Sequence, residues 1–108
     1  GTIARHALDE VLLAVDDGEL LGLISLTFNL AMRFGGEYCQ VEELVVEPAA
    51  RRRGVGPRLV EAALDGARER GCANVGAYVV TAADDVRTFY ERFGFSSVGT
   101  EMRQQLAG

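Results

Sequence analysis

The chain has 108 residues, 48% hydrophobic and 25% charged, and a formal net charge of −5, which gives room for one domain with one core and argues against nucleic acid as a partner. No apolar run approaches the roughly 20 residues needed to span a bilayer, and the N-terminus lacks a signal-peptide pattern, so a single cytoplasmic domain over residues 1–108 with no membrane partner is expected. All eleven basic residues are arginines, which excludes a P-loop built on its lysine; a lysine-free composition also accords with a GC-rich bacterial genome.

Val11 to Val15 is a short apolar run followed by Asp16-Asp17-Gly18-Glu19, and an Asp-Gly pair between apolar segments signals a hairpin. In the return strand Ile24, Leu26, Phe28, Leu30 and Met32 alternate with Ser25, Thr27, Asn29, Ala31 and Arg33, which predicts one buried and one more polar face. Gly35-Gly36 turns the chain into a third strand, Tyr38 to Val46, that stops at Pro48, a residue unable to donate to a ladder. Pro57 suits the first turn of a helix, and Leu59, Val60, Ala63, Leu64 and Ala67 then follow the three-and-four spacing of one helix face. Gly71 is placed to terminate this helix. Asn74 to Val80 reads as a buried strand, parallel to the Val41 strand because a helix crosses between them. Asp84 or Asp85 is expected to cap a second helix with Val86, Phe89, Tyr90 and Phe93 on its apolar side and Gly94 at its end, and a last strand is expected near Ser97 to Gln105. The fold class is α/β (mixed α+β): an antiparallel meander, a βαβ unit, a second helix and a final strand.

Between the third strand and the first helix lies Arg51-Arg52-Arg53-Gly54-Val55-Gly56. Glycines allow a tight turn, the free N–H groups of a helix start attract anions, and arginines add cationic donors. An ordinary strand-to-helix loop with solvated arginines has the same local pattern. A dinucleotide fingerprint does not fit, because Leu59 stands where GxGxxG has its third glycine. Tyr90, on pattern alone, is a core aromatic. Cys39 and Cys72 form neither a disulfide framework nor a metal-ligand spacing; no metal is expected, and His6 reads as a surface residue.

Two stretches carry a family resemblance. Arg51-x-x-Gly54-x-Gly56 matches the (Gln/Arg)-x-x-Gly-x-(Gly/Ala) signature of the GNAT superfamily of acetyl-CoA-dependent N-acetyltransferases, and Thr88-Phe89-Tyr90-Glu91-Arg92-Phe93-Gly94-Phe95 resembles its second motif, FYEKLGF. They occur in order, about thirty residues apart with a strand between, and the resemblance spans roughly Leu20 to Leu106. It implies transfer of an acetyl group from acetyl-CoA, as cosubstrate, to a primary amine on a small molecule or peptide, by direct attack in a ternary complex. The alternative is a non-catalytic, CoA-binding regulatory or degenerate domain.

The resemblance assigns pyrophosphate binding to the turn Arg51, Arg52, Arg53, Gly54, Val55, Gly56 and Arg58, with the amides of Arg53, Gly54, Gly56 and Arg58 as candidates. Pro57 departs from the usual pattern by removing one N–H. A main-chain amide at Val45 or Val46 would polarise the thioester carbonyl. Tyr90 would protonate the departing thiolate, since a phenol stays protonated near neutral pH and can donate as charge develops. Glu42 or Glu43 would take the amine's proton. Strict alternation puts these two on opposite faces, so only one should enter the cleft; family members with an acidic residue just before the Leu-x-Val run favour Glu43.

The resembling family usually opens with a strand and two helices, for which only Gly1 to Glu10 stand here, so the chain is expected either to be a fragment of a longer one or to complete its sheet and pocket by association. An exposed first strand invites pairing with another chain, which predicts a homodimer through the first or the last strand.

Overall fold

The structure, a computed structural model, describes residues 10–79, 84–99 and 102–106. Four strands form one mixed sheet in the order β1-β2-β3-β4: β1 Glu10–Asp16, β2 Glu19–Ala31, β3 Gly36–Val46 and β4 Val75–Ala77. The first three are antiparallel, and β4 runs parallel to β3 after the helix α1, Val55–Arg70. A second helix, α2, covers Asp84–Glu91. The mixed α/β class and the meander-plus-βαβ order are those the sequence predicts.

The β1–β2 turn is the Asp17-Gly18 pair, at φ 50° and 78°, the left-handed pairing that matches strand twist in a two-residue hairpin. Gly71 ends α1 at φ 81° with its N–H on the Ala67 and Arg68 carbonyls, and the Cys72 amide also reaches the Ala67 carbonyl, so the last helical carbonyls are satisfied locally. The helix starts at Val55, two residues before Pro57. Its buried face, Val55, Leu59, Val60, Ala63 and Ala67, packs on Ile24, Leu26 and Phe28 of β2 and Cys39 and Val41 of β3.

Several predicted boundaries move. The buried row of β2 ends at Phe28, where the Arg70 guanidinium lies 4.1 Å over the ring and closes the core from water; Leu30 and Met32 beyond it are exposed. Only Val75–Ala77 of the stretch predicted from Asn74 pairs as β4, and Val80 lies outside the described residues. Asp84 is the first residue of α2 rather than a cap before it, and the cap position falls outside the described residues. Val86 is more exposed than its place in the apolar pattern implies. The described parts of 97–105 form no strand: Val98 and Met102 are exposed, and Gly99 and the Arg103-Gln104-Gln105 run offer little to pack on a sheet.

The helix approaches β2 through Gly22. A Cβ there would lie 2.7 Å from the Val45 carbonyl oxygen, 3.1 Å from Val55 and 3.3 Å from Leu59. Gly22→Ala should therefore cost about 1–3 kcal/mol through overpacking. Gly66→Ala, in the same layer but with nothing within 4 Å, should stabilise by about 0.5–1 kcal/mol through helix propensity. Opposite shifts of the thermal midpoint in the two variants check this; a Gly22→Ala midpoint at or above wild type contradicts it.

Cys39 generates a pH prediction. Burial, reinforced by Cys72, Glu10 and Glu37 and opposed by Arg70, pushes its thiol from 9.0 up to about 11. A folded-state value above the unfolded one means that the folded chain holds its proton longer, so stability is intact below pH 9 and is lost as pH rises toward 11. At about 1.4 kcal/mol per unit, denaturant titrations across this window should show a loss on the order of 2–3 kcal/mol, and Cys39→Val should flatten that slope.

Candidate active site

The arrangement of the site begins with an extra residue in β3. Ser25 pairs with Glu43 and Leu26 with Val41, so Glu42 bulges out of the β2–β3 ladder. A bulge places an additional residue on one strand and sharpens its twist. Val41 and Leu44 consequently both face α1, and Glu42 and Glu43 are both exposed. This corrects the alternation expectation: the two glutamates are not split between a core and a solvent face.

β4 pairs with β3 only along Cys39, Gln40 and Val41. From Glu42 to Val46 the outer edge of β3 carries no strand among the described residues. Backbone groups on an unpaired edge are available to an incoming chain or ligand. Val45 is half exposed, while Val46 packs against the core.

The arginine turn sits at the end of this edge. A short 3₁₀ turn, Pro48–Ala50, leads into it, and Gly54 at φ 72° opens α1 without a side-chain cap. The amides of Arg53 and Arg58 already bond the Ala50 and Gly54 carbonyls. Those of Gly54, Val55 and Gly56 have no backbone acceptor among the described residues, as helix geometry requires of its first turn. Arg51 and Arg52 are exposed beside them. Arg53 instead turns toward β1, its Nη2 donating to Asp16 Oδ2 at 2.8 Å. With Arg58 it lines a groove of about 640 Å³ between β1 and α1, on the flank away from the open β3 edge. The structure thus brings Gly54, Val55, Gly56 and the β3 edge together and sets the Arg53 and Arg58 side chains apart from them.

α2 supplies the remaining wall. Phe89 lies over Gly56, where a Cβ would meet its ring at 3.6 Å and Val46 at 3.8 Å. Tyr90 is buried and packs edge-on against Phe89 and Phe95, at ring-centroid distances of 5.3 and 5.2 Å. Its hydroxyl takes no hydrogen bond among the described residues. Burial raises its pKa above the ordinary tyrosine value, which keeps the phenol protonated at neutral pH.

Behind the bulge lie polar side chains that the sequence patterns did not single out. Thr27 Oγ1 donates to Glu42 Oε1 at 2.9 Å, and Asn29 Nδ2 donates to Thr27 Oγ1 at 3.1 Å. Their signal in the sequence is the polar half of the β2 alternation, which becomes informative only once register is known. Ser25, opposite Glu43, has a buried hydroxyl with no partner among the described residues. Among the described residues no group of three or more His, Cys, Asp or Glu side chains is placed to hold a metal.

A sequence model described as the acetyltransferase (GNAT) family matches residues 3–95, beginning earlier and ending sooner than the Leu20–Leu106 span of the motif resemblance. An acetyltransferase of Agrobacterium fabrum is 37% identical over 76 residues, 70% of this chain and 54% of that protein. An aminoglycoside N(6')-acetyltransferase type 1 of Klebsiella aerogenes is 44% identical over 75 residues, 67% of this chain and 48% of that protein. A probable glucosamine 6-phosphate N-acetyltransferase of Oryza sativa is 37% identical over 71 residues, 66% of this chain and 41% of that protein. The chain thus spans about half the length of the curated relatives it matches. Among solved structures, a transcriptional regulator from Bacillus halodurans superposes with a TM-score of 0.83 at 27% identity, covering 91% of this chain and 66% of that one. A putative acetyl transferase from Pyrococcus furiosus shares the fold with a TM-score of 0.83 at 22% identity, covering 94% of this chain and 68% of that one. With a family match over residues 3–95, and with Phe89 of the second motif packed on Gly56 of the first, this chain belongs to the acetyltransferase (GNAT) family.

Proposed function

We propose that this chain carries the catalytic core of an N-acetyltransferase that uses acetyl-CoA and acetylates a primary amine by direct attack in a ternary complex. One observation carries the reading: the unpaired β3 edge at Glu42–Val46 and the open first turn of α1 lie side by side, with Phe89, the neighbour of Tyr90, packed over Gly56 and close to Val46. These residues fit the donor. Gly54, Val55 and Gly56 present uncommitted amides, Arg51 and Arg52 add exposed positive charge, and the β3 edge offers main-chain groups to an extended arm. Arg53 and Arg58 act at longer range, through charge.

Acetyl-CoA, when bound, supplies an activated acetyl thioester. The turn amides hold phosphate oxygens, and a main-chain N–H at Val45 or Val46 polarises the carbonyl that the amine attacks. An alkylamine is only about one part in a thousand neutral near pH 7.4, so Glu42 or Glu43 removes its proton and frees the lone pair. As the C–N bond forms and the C–S bond breaks, the nitrogen gives up its second proton, which ends on the CoA thiol or in water, and the Tyr90 hydroxyl would donate to the charge that develops on sulfur. Of the acceptor types named for the relatives, the adjacent exposed carboxylates suit an amine with further positive charge better than a phosphorylated one, because they attract the first and repel the second.

Saturating acetyl-CoA at about 100 times its Kd should stabilise the fold by roughly 2.7 kcal/mol. An unmoved thermal midpoint together with no heat of binding removes the proposal. Tyr90→Phe should leave acetyl-CoA affinity and melting nearly unchanged, because the hydroxyl bonds no described protein group, while lowering kcat by about 10²–10⁴-fold. A kcat within about twofold of wild type would make Tyr90 a packing residue.

A further inference from the structure

Glu42 is the residue that the bulge sets outside the ladder, yet its carboxylate is held. A glutamate side chain loses on the order of 1.5–2 kcal/mol of rotamer entropy when fixed, so an exposed carboxylate is ordinarily mobile unless something grips it. Here Thr27, on the neighbouring strand, donates its single hydroxyl proton to Glu42 Oε1 at 2.9 Å. With that proton committed, Thr27 Oγ1 can only accept from its other neighbour, and Asn29 Nδ2 supplies the donor at 3.1 Å. The direction of the chain is therefore fixed: Asn29 to Thr27 to Glu42. Thr27 is stiff at χ1 because it is β-branched, and its place in β2, paired with Gln40, is locked by the ladder. Glu43, one residue on and opposite Ser25, makes no hydrogen bond or ion pair among the described residues.

We propose that Thr27 and Asn29 are positioning residues that hold Glu42 as the proton acceptor of the transfer reaction, with Oε1 tethered, Oε2 without a partner among the described residues, and the residue itself on the stretch of β3 that β4 does not pair. This rests on the acetyltransferase reading above. In the step concerned, the ammonium of the acceptor gives one proton to the Glu42 carboxylate, which becomes a carboxylic acid, and the neutral amine keeps the lone pair that attacks. The tether matters because a base must meet the proton at hydrogen-bonding distance and in line. It also selects Glu42 over Glu43, the neighbour that the family resemblance favours.

The test is steady-state acetyl transfer by the full chain, with the best acceptor from an amine panel. Thr27→Val, which keeps shape and removes the donor, should lower kcat roughly tenfold or more while leaving the acetyl-CoA Kd unchanged. Thr27→Ser should restore it to within about threefold, since the hydroxyl returns. In a Glu42→Gln background Thr27→Val should have little further effect, because residues acting as a unit are non-additive. Glu42→Gln should also cost about tenfold more than Glu43→Gln. Should Thr27→Val fail to fold, Asn29→Leu cuts the outer link and should give a smaller fall of the same kind. An active wild type with Thr27→Val at full kcat, an equal loss in the Glu42→Gln background, or a larger loss at Glu43 than at Glu42 overturns the assignment. A wild type that binds acetyl-CoA and acetylates no amine overturns the enzymatic reading as well.

Discussion

The placement of the site depends on one extra residue in β3. Cys39 and Val41 face α1, and so do Leu44 and Val46. An odd and an even position cannot share a face in a regular strand, so the core requires the bulge at Glu42. The same insertion moves both glutamates to the uncovered side and sharpens the local twist, and β4 pairs no further than Val41. A packing requirement on one face thus opens an edge and presents a carboxylate on the other. A second irregularity lies between Ala14 and Val15, opposite the buried Leu21, and the Glu47 amide reaches the Leu21 carbonyl at 2.8 Å. The end of β3 is therefore tied back to β2 just before the arginine turn, which fixes where the first turn of α1 stands relative to the open edge.

The two ends of the sheet have opposite characters. At the closed end Arg70 pairs with Glu37 and covers Phe28, and the Cys72 thiol lies near the same carboxylate. Burial and the Glu37 carboxylate raise the Cys72 pKa as burial raises that of Cys39, so both thiols are held protonated and unreactive at neutral pH. β4 is hydrogen-bonded to β3 at this end alone, through contacts that include the Cys39 amide on the Asn74 carbonyl and the Ala73 amide on the Glu37 carbonyl. Anchoring at one end is what allows separation at the other without dissolving the sheet. The ionic cover and the thiols belong to stability, and the opening beyond Val41 is where the proposed reaction would take place.

Local chemistry was legible in the sequence wherever one residue type has one structural use. Asp17-Gly18, Gly71 and Gly94 announce left-handed backbone positions, and each adopts one. The helix face from Leu59 to Ala67 follows from spacing alone. What periodicity hides is any change of phase. A rule of strict alternation divides Glu42 from Glu43, and nothing in the local composition marks the residue at which β3 slips. The same rule keeps Leu30 and Met32 inside, because a strand pattern carries no information on where its covering helix stops. The arginines were legible as a cluster but not by direction: Arg53 finds Asp16 across the β1–β2 turn, a partner 37 residues away. Thr27 and Asn29 look like the solvent half of an amphipathic strand until register sets them behind Glu42.

Tyr90 shows how the packing limits the chemistry it can perform. Its ring is fixed by Phe89 and Phe95, and burial raises the phenol above its usual value. An ordinary phenol, near 10, is already a weaker acid than a thiol near 8.5, so complete transfer of its proton to a free thiolate is uphill by about 2 kcal/mol; further elevation makes it steeper. In the proposed reaction, a hydroxyl in this environment is therefore suited to donating a hydrogen bond to the charge that develops on sulfur. That contribution is greatest as the C–S bond breaks and vanishes in the ground state, which is the differential that accelerates a reaction. On the proposed reaction, a ring held in the core by its aromatic neighbours supplies position, and a hydroxyl that makes no bond among the described residues is left for the transition state.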